Sequence, residues 1–240
     1  MKFTQNTGND ITYMSSPNIS AVHAFGTRSG SVRAALGIAQ DDIICLKQVH
    51  SASIISATQE HRGKLLHPSP EGDGLITNEP NVALTVFTAD CVPILLYDPV
   101  KNAIGAVHAG WRGTALDIVG EAVRKMENLY NCRLSDIKAA IGPCISKCCF
   151  VTDLDVADAI RVAVEKSGTS ETANVIAAGA DNPNKYLVDL KKANRLLLES
   201  AGVCDIAVSD ECTSCSSDKY WSHRKTKGKR GTQAAVIVLN

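Results

Sequence analysis

Three apolar runs follow one another with only short polar breaks: Val82 to Thr88, Val92 to Tyr97 and Ala103 to His108. The first reads as a buried strand. The other two flank the turn Asp98-Pro99-Val100-Lys101-Asn102 and read as an antiparallel hairpin. The last run leads into His108-Ala109-Gly110-Trp111-Arg112-Gly113-Thr114. Apolar residues then recur at Ile118, Val119, Ala122, Val123, Met126 and Leu129, a helical period. The chain therefore passes from strand to helix through a turn holding an imidazole, an indole, a guanidinium and glycines. Glycine lets backbone approach a ligand closely. An arginine fork suits phosphate or carboxylate, and histidine serves as a base or a metal ligand.

The remaining elements surround this centre. Strands are expected over Val22 to Arg28, Ile43 to His50, Ser53 to Ser56, Gly72 to Thr77, Ile137 to Ile141, Ile206 to Val208 and Gly231 to Leu239. Further helices are expected over Leu154 to Val164 and Val188 to Ser200, the latter stopped by Gly202. Residues 1–20 read as a loosely ordered opening segment, and residues 167–184 as a loop or weak element. There is no repeat and no linker, so residues 1–240 are expected to form one domain of α/β or α+β layers. No GxGxxG follows the first strand and no GxxxxGK[ST] is present, which disfavours dinucleotide-binding and P-loop folds.

Lysine plus arginine and aspartate plus glutamate both number 25, giving zero formal charge. Such balance argues against a nucleic-acid or anionic-membrane binder. Met1 to Asn6 lacks an apolar leader, and Val82 to Tyr97 is interrupted by Asp90 and Pro93, so a cytoplasmic protein without a membrane span is expected. In that reducing compartment the nine cysteines stay free, ligate or react. Cys144, Cys148 and Cys149 crowd together, and Cys212-Thr213-Ser214-Cys215 is a CxxC. Without a second pair at ribbon spacing this is a weak zinc signal, and most of these cysteines read as small buried residues.

His50, Cys91 and His108 each stand where an apolar strand meets a turn. Two imidazoles and a thiolate can hold zinc with one position open, as a catalytic site requires. The competing reading is a buried cysteine and two ordinary histidines. Cys91 also has a rival role as a nucleophile with His50 or His108 as base. Asp90 is either an acid/base or a turn cap, and Asp73, between two glycines, a turn residue or a site-edge carboxylate. For anions the candidates are Arg28, Arg112 and the C-terminal set Arg224, Lys225, Lys227, Lys229 and Arg230. The competing reading of that set is a solvated face or loop, with Ser222-His223-Arg224 its more selective part, and His61 and His67 read as solvated loop residues.

Lys47-Gln48-Val49-His50, Asp73-Gly74-Leu75-Ile76-Thr77, Ala89-Asp90-Cys91-Val92-Pro93-Ile94, His108-Ala109-Gly110-Trp111-Arg112-Gly113 and Ile141-Gly142-Pro143-Cys144-Ile145 occur in one order. With His23 to Arg28 near the start, and Ser222-His223-Arg224 and Gly228-Lys229-Arg230 near the end, this series resembles the laccase-domain family. That family is also called multicopper polyphenol oxidase-like and is described as purine nucleoside phosphorylases. The resemblance implies a single-domain layered α/β/β/α sandwich with mixed sheets, similar to the catalytic domain of cytotoxic necrotizing factor toxins. It implies zinc on His50, Cys91 and His108, with copper as the older alternative. It also implies phosphorolysis of adenosine, inosine, guanosine and methylthioadenosine, with adenosine deamination at the same site. Peptidoglycan editing is a further implied role. Cys91, Asp73 and Asp90 are then the catalytic candidates, and Arg28, Gln48, Arg112 and Arg224 the candidates for nucleoside and phosphate. A multicopper oxidase needs more histidines than the six present. The chain departs from the family pattern at Glu71 to Gly74, Phe150-Val151 and Tyr220 to Arg224, which bears on substrate preference.

Overall fold

The computed structural model describes residues 2–62, 70–168, 171–179 and 182–239. Strands β1 (Thr4–Gly8) and β2 (Ile11–Ser15) form a hairpin turning through Asn9 and Asp10, whose φ angles are 50° and 61°. Asn and Asp accept this left-handed backbone, and the resulting turn matches strand twist. The expectation of a loosely ordered opening is thereby corrected over residues 4–15. The polar composition reflects an antiparallel edge with one face toward water, not missing structure.

The chain continues through β3 (Val22–Gly26), α1 (Val32–Ala35), β4 (Ile43–Ile44), β5 (Ile54–Ser56), β6 (Gly74–Thr77), β7 (Ala83–Thr88), β8 (Val92–Asp98) and β9 (Ala103–Ala109). Next come α2 (Trp111–Ala115), α3 (Ile118–Tyr130), β10 (Lys138–Ile141), β11 (Val151–Thr152), α4 (Leu154–Lys166) and α5 (Thr172–Val175). The chain closes with β12 (Ile176–Ala178), β13 (Tyr186–Val188), α6 (Leu190–Ser200), β14 (Asp205–Val208), α7 (His223–Thr226) and β15 (Gln233–Val238).

Two six-stranded mixed sheets organise these elements. One has the order β1-β2-β3-β15-β7-β4, the other β14-β10-β8-β9-β6-β5. A small sheet, β11-β13-β12, falls partly in the region read as a weak element. The pairs β4–β7, β5–β6 and β10–β14 are parallel, and β8–β9 is the expected antiparallel hairpin.

The period of two explains the layering. Leu95, Ile104 and Ala106 point between the two large sheets, against Phe25, Leu84, Val86 and Ile237. Their neighbours Ile94, Leu96 and Val107 point the other way, against Ile118, Val123 and Met126 of α3 and Leu197 of α6. The β8–β9 hairpin is thus covered on both faces, which is why its sequence is continuously apolar. Each such fully buried Leu or Ile contributes about 1.5–3 kcal/mol. On the far side, Val32 of α1 packs on Ala24, Ala83 and Val236. The architecture is a mixed α+β sandwich with helices outside the paired sheets.

The strand expected over Ile43 to His50 is shorter than its apolar pattern. The ladder covers Ile43 and Ile44 only. Beyond it, the Gln48 side chain takes the place of a backbone neighbour for β7. Its Oε1 accepts the Phe87 N–H at 2.8 Å and its Nε2 donates to the Phe87 carbonyl at 2.8 Å. The main chain leaves β7, pairs through Lys47 with Glu71 in a parallel bridge, and reaches His50 with φ at 62°.

Candidate metal centre

Strand register assembles the centre. In the β8–β9 pair Pro93 faces His108, and Cys91 stands just before β8 at the tight corner leaving β7. In the β6–β9 pair Gly74 faces Val107, which brings Asp73 alongside His108. The backbone N–H of His108 donates to the Asp73 carbonyl at 2.7 Å. The donor atoms of His50, Cys91 and His108 all lie within 4.8 Å of one another. Cys91 Sγ is 3.9 Å from His50 Nε2, and the two imidazole rings stand edge to face with centroids 4.9 Å apart.

Asp73 is fully buried beneath them. Its Oδ1 lies 2.8 Å from His108 Nδ1 and accepts the His50 N–H at 3.0 Å. Its Oδ2 accepts from Val49 N, Ser51 N and Ser51 Oγ at 3.2, 2.6 and 2.8 Å. A carboxylate bonded to one ring nitrogen directs the other toward a ligand, an arrangement recurrent around metal-binding histidines.

The electrostatics follow from this packing. Burial opposes the Asp73 anion, but the hydrogen bonds from His108, Ser51 and His50 outweigh it and hold the carboxyl at about 2. Burial also opposes a charged Cys91, yet hydrogen bonds and charge from His108 and His50 pull its thiol down to about 6. At His108 burial works against the cation, and Asp73 and Cys91 raise its pKa to about 9. The packing thus favours the Cys91 thiolate and the protonated His108 over the buried Asp73 carboxylate.

The donor set fits a tetrahedral zinc. Zn–N of about 2.0–2.1 Å and Zn–S of about 2.3 Å place tetrahedral donors roughly 3.4–3.6 Å apart, a few tenths of an ångström closer than Cys91 and His50 here. Gly110 makes room for it. A Cβ there would lie 2.8 Å from His50 Cδ2 and 3.3 Å from Cys91 Sγ.

The other predicted residues separate. Asp90, with φ at 87°, turns its carboxylate to the C-terminal segment. It accepts from Thr213 Oγ1, Ser222 Oγ and Arg224 N at 2.6, 3.1 and 2.6 Å. Arg28 donates to the Ser217 carbonyl at 2.5 Å and lies 4.1 Å over the Trp221 ring. Arg112 lies 4.4 Å over Trp111, and Arg224 donates to the Cys149 carbonyl at 3.0 Å. The trio opens into a cleft of about 250 Å³ whose wall includes Gln48, Phe87 and Arg230. Among the described residues, Arg230 is the cation that lines this cleft, while Arg28, Arg112 and Arg224 do not.

Arg230 is therefore the member of the C-terminal basic set that reaches the cleft, although charge alone does not single it out from a run that resembles a solvated face. Its membership of Gly228-Lys229-Arg230 was the available signal. His61 is occupied by Thr58. His67 lies outside the described residues. A larger groove of about 470 Å³ among α3, α4 and α6 offers neither thiol nor imidazole.

The fold and the sequence have relatives. A solved structure of YlmD from Geobacillus stearothermophilus has a TM-score of 0.88 at 32% identity, covering 99% of this chain and 98% of that one. The hypothetical protein YfiH from Bacillus licheniformis gives 0.87 at 29% identity over 96% of each chain. By sequence, the chain is 39% identical over 200 residues to a G. stearothermophilus protein named purine nucleoside phosphorylase YlmD, spanning 81% of this chain and 71% of that protein. It is 35% identical over 256 residues to the purine nucleoside phosphorylase of Deinococcus radiodurans, spanning 95% and 93%. Matched over residues 21–240, the chain belongs to the family described as multi-copper polyphenol oxidoreductase laccase.

Proposed function

We propose that the chain is a zinc-dependent purine nucleoside phosphorylase. It cleaves the N-glycosidic bond of adenosine, inosine, guanosine or methylthioadenosine with inorganic phosphate, giving the free base and a pentose 1-phosphate. The observation that carries the reading is the convergence of His50, Cys91 and His108 in one cleft with Arg230. The relatives named purine nucleoside phosphorylase support the reaction class.

His50, Cys91 and His108 would hold the ion, which when bound supplies Lewis acidity at a position the protein leaves open. Asp73 positions the His108 imidazole, fixes its tautomer and anchors the main chain of His50. The Arg230 guanidinium, already oriented by its contact with His223 Nδ1 at 3.3 Å, holds phosphate oxygens. Phe87 is 38% exposed in the cleft wall and offers an apolar face to a purine. Gln48 holds Phe87 in place through its two backbone bonds. Asp90 acts through the C-terminal segment and not on the substrate.

Zinc is proposed over copper because the other described imidazoles have different tasks. His23 bonds Ser16 N and Ala21 O, and His223 bonds Arg230, so neither adds to a copper cluster. Adenosine deamination belongs to the same proposal, since a three-residue site with an open position suits attack of water on the purine carbon that bears the amine, which leaves as ammonia. No helix of the described residues is long and apolar enough to cross a membrane. The partners proposed are nucleoside and phosphate, and the compartment is the reducing cytoplasm, consistent with the free cysteines. Incubation with adenosine separates the activities: adenine with ribose 1-phosphate requires phosphate, and inosine does not. Absence of both products from the zinc-loaded chain overturns the proposal.

A further inference from the structure

Away from the His50 centre, four cysteine sulfurs converge. Cys148 and Cys149 come from the segment between β10 and β11, and Cys212 and Cys215 from the segment after β14. Their Sγ atoms all lie within 4.8 Å of one another. The Cys148–Cys149, Cys148–Cys215 and Cys149–Cys215 separations are 3.7, 3.6 and 3.4 Å. A zinc tetrathiolate with Zn–S of about 2.3 Å has tetrahedron edges of roughly 3.8 Å. A disulfide would bring two sulfurs to about 2.05 Å. The grouping has the size of a mononuclear metal site.

The surroundings are those of a thiolate cage. The backbone N–H of Ser146 donates to Cys212 Sγ at 3.3 Å. Such a donor stabilises a ligating thiolate and fixes its direction. The two segments are joined without an ion by a parallel bridge between Cys144 and Cys212 and by Thr213 N donating to the Cys144 carbonyl at 3.0 Å. The cage is thus presented by paired backbone, not by loose loops. The Arg224 guanidinium, 3.0 Å from the Cys149 carbonyl, supplies positive charge beside a site that would carry net negative charge.

We propose that Cys148, Cys149, Cys212 and Cys215 form a second metal site that binds one zinc ion as a structural tetrathiolate. The ion replaces the thiol protons, which pass to the buffer, and no electron moves. Its position gives it a task. Thr213, inside the CxxC, holds Asp90 at 2.6 Å, and Asp90 also holds Ser222 and the Arg224 N–H. Asp90 is the residue next to Cys91. The tetrathiolate therefore pins the segment that fixes the corner presenting Cys91, while sharing no ligand with the first centre. The inference is independent of the phosphorylase reading.

The test uses the full chain carrying Cys91→Ala and His108→Ala, which disables the first centre. Metal analysis is expected to find about one zinc per chain, and X-ray absorption a shell of sulfur neighbours only, at about 2.3 Å. Adding Cys215→Ser should remove this zinc. Since that variant can misfold, alkylation of the unsubstituted chain gives a second readout. Exposed Cys204 should react at once, while Cys148 and Cys215, although exposed, should react at least 10-fold more slowly until a chelator is added. A folded double variant without zinc, a shell containing nitrogen or oxygen, disulfides among the four, or alkylation of Cys148 and Cys215 as fast as Cys204 would each overturn the proposal.

Discussion

Asp73 Oδ1 lies 2.8 Å from His108 Nδ1 and 3.0 Å from the His50 backbone nitrogen. One buried oxygen thus sets the direction of one imidazole and the main-chain position of the other. The local order of the centre depends on a carboxylate that does not face the cleft.

Asp73→Asn keeps the shape but places an amide among N–H donors. Breaking a buried pair of this kind costs about 3–5 kcal/mol, and loss of a carboxylate behind a ligating histidine lowers metal affinity about 10–100-fold. Urea unfolding and chelator competition measure the two effects. The carboxyl is held at about 2, below its usual range, so its contribution is complete above the usual carboxylate pKa and is lost as pH falls toward 2. The wild-type chain should therefore lose stability on acidification through that window more steeply than the variant.

Metal loading should release a proton whose number depends on pH. Between about 6 and about 9 the metal-free centre holds a Cys91 thiolate and a protonated His108. Binding at pH 7.5 must displace the His108 proton, about one per ion. Below 6 the Cys91 proton adds to it, and above 9 this release vanishes. Affinity accordingly rises with pH and flattens above 9. Calorimetry of the metal-free chain in buffers of different ionisation enthalpy, with Cys91→Ala as the reference, reads the count.

Gly110→Ala introduces a Cβ 2.8 Å from His50 Cδ2. The backbone φ of −68° at Gly110 suits alanine, so the expected effect is on the centre and not on the fold. Circular dichroism should be unchanged while metal affinity falls at least 10-fold, the scale expected when a ligand is displaced.

Arg230→Ala should raise the KM for phosphate about 10-fold or more with a smaller change in KM for the nucleoside, the pattern expected when a charge-assisted anion contact is removed. Arg230→Lys should recover part of it. The same substitutions at Arg28, which is engaged by Ser217 and Trp221, should leave the phosphate dependence unchanged.

The fold was readable where burial imposes a period. The β8–β9 hairpin and helices α3, α4 and α6 follow from apolar spacing because both sides of the second large sheet are covered. Two kinds of element escaped. The β1–β2 hairpin is polar because it lies at a sheet edge, and its sign was the Asn9-Asp10 turn. The early end of β4 escaped because a side-chain amide, Gln48, replaces backbone pairing, which no periodicity records. At the centre, strand ends pointed to His50, Cys91 and His108, and the structure brings them together. Asp73 and Asp90 looked alike, each a carboxylate in a turn, and only long-range pairing separates them. One meets His108 across the β6–β9 register, and the other meets Thr213, Ser222 and Arg224. The convergence of Cys148 and Cys149 with Cys212 and Cys215 was hidden for the same reason, since the two pairs are distant in the chain.

Phosphorolysis at the His50–Cys91–His108 centre is tested by the zinc-loaded chain with inosine, which has no amine to lose, in the presence and absence of phosphate. The expected result is phosphate-dependent release of hypoxanthine with an equal amount of ribose 1-phosphate, abolished by Cys91→Ala. A folded, zinc-loaded chain that yields no phosphate-dependent product, or equal turnover in the Cys91→Ala variant, would contradict it.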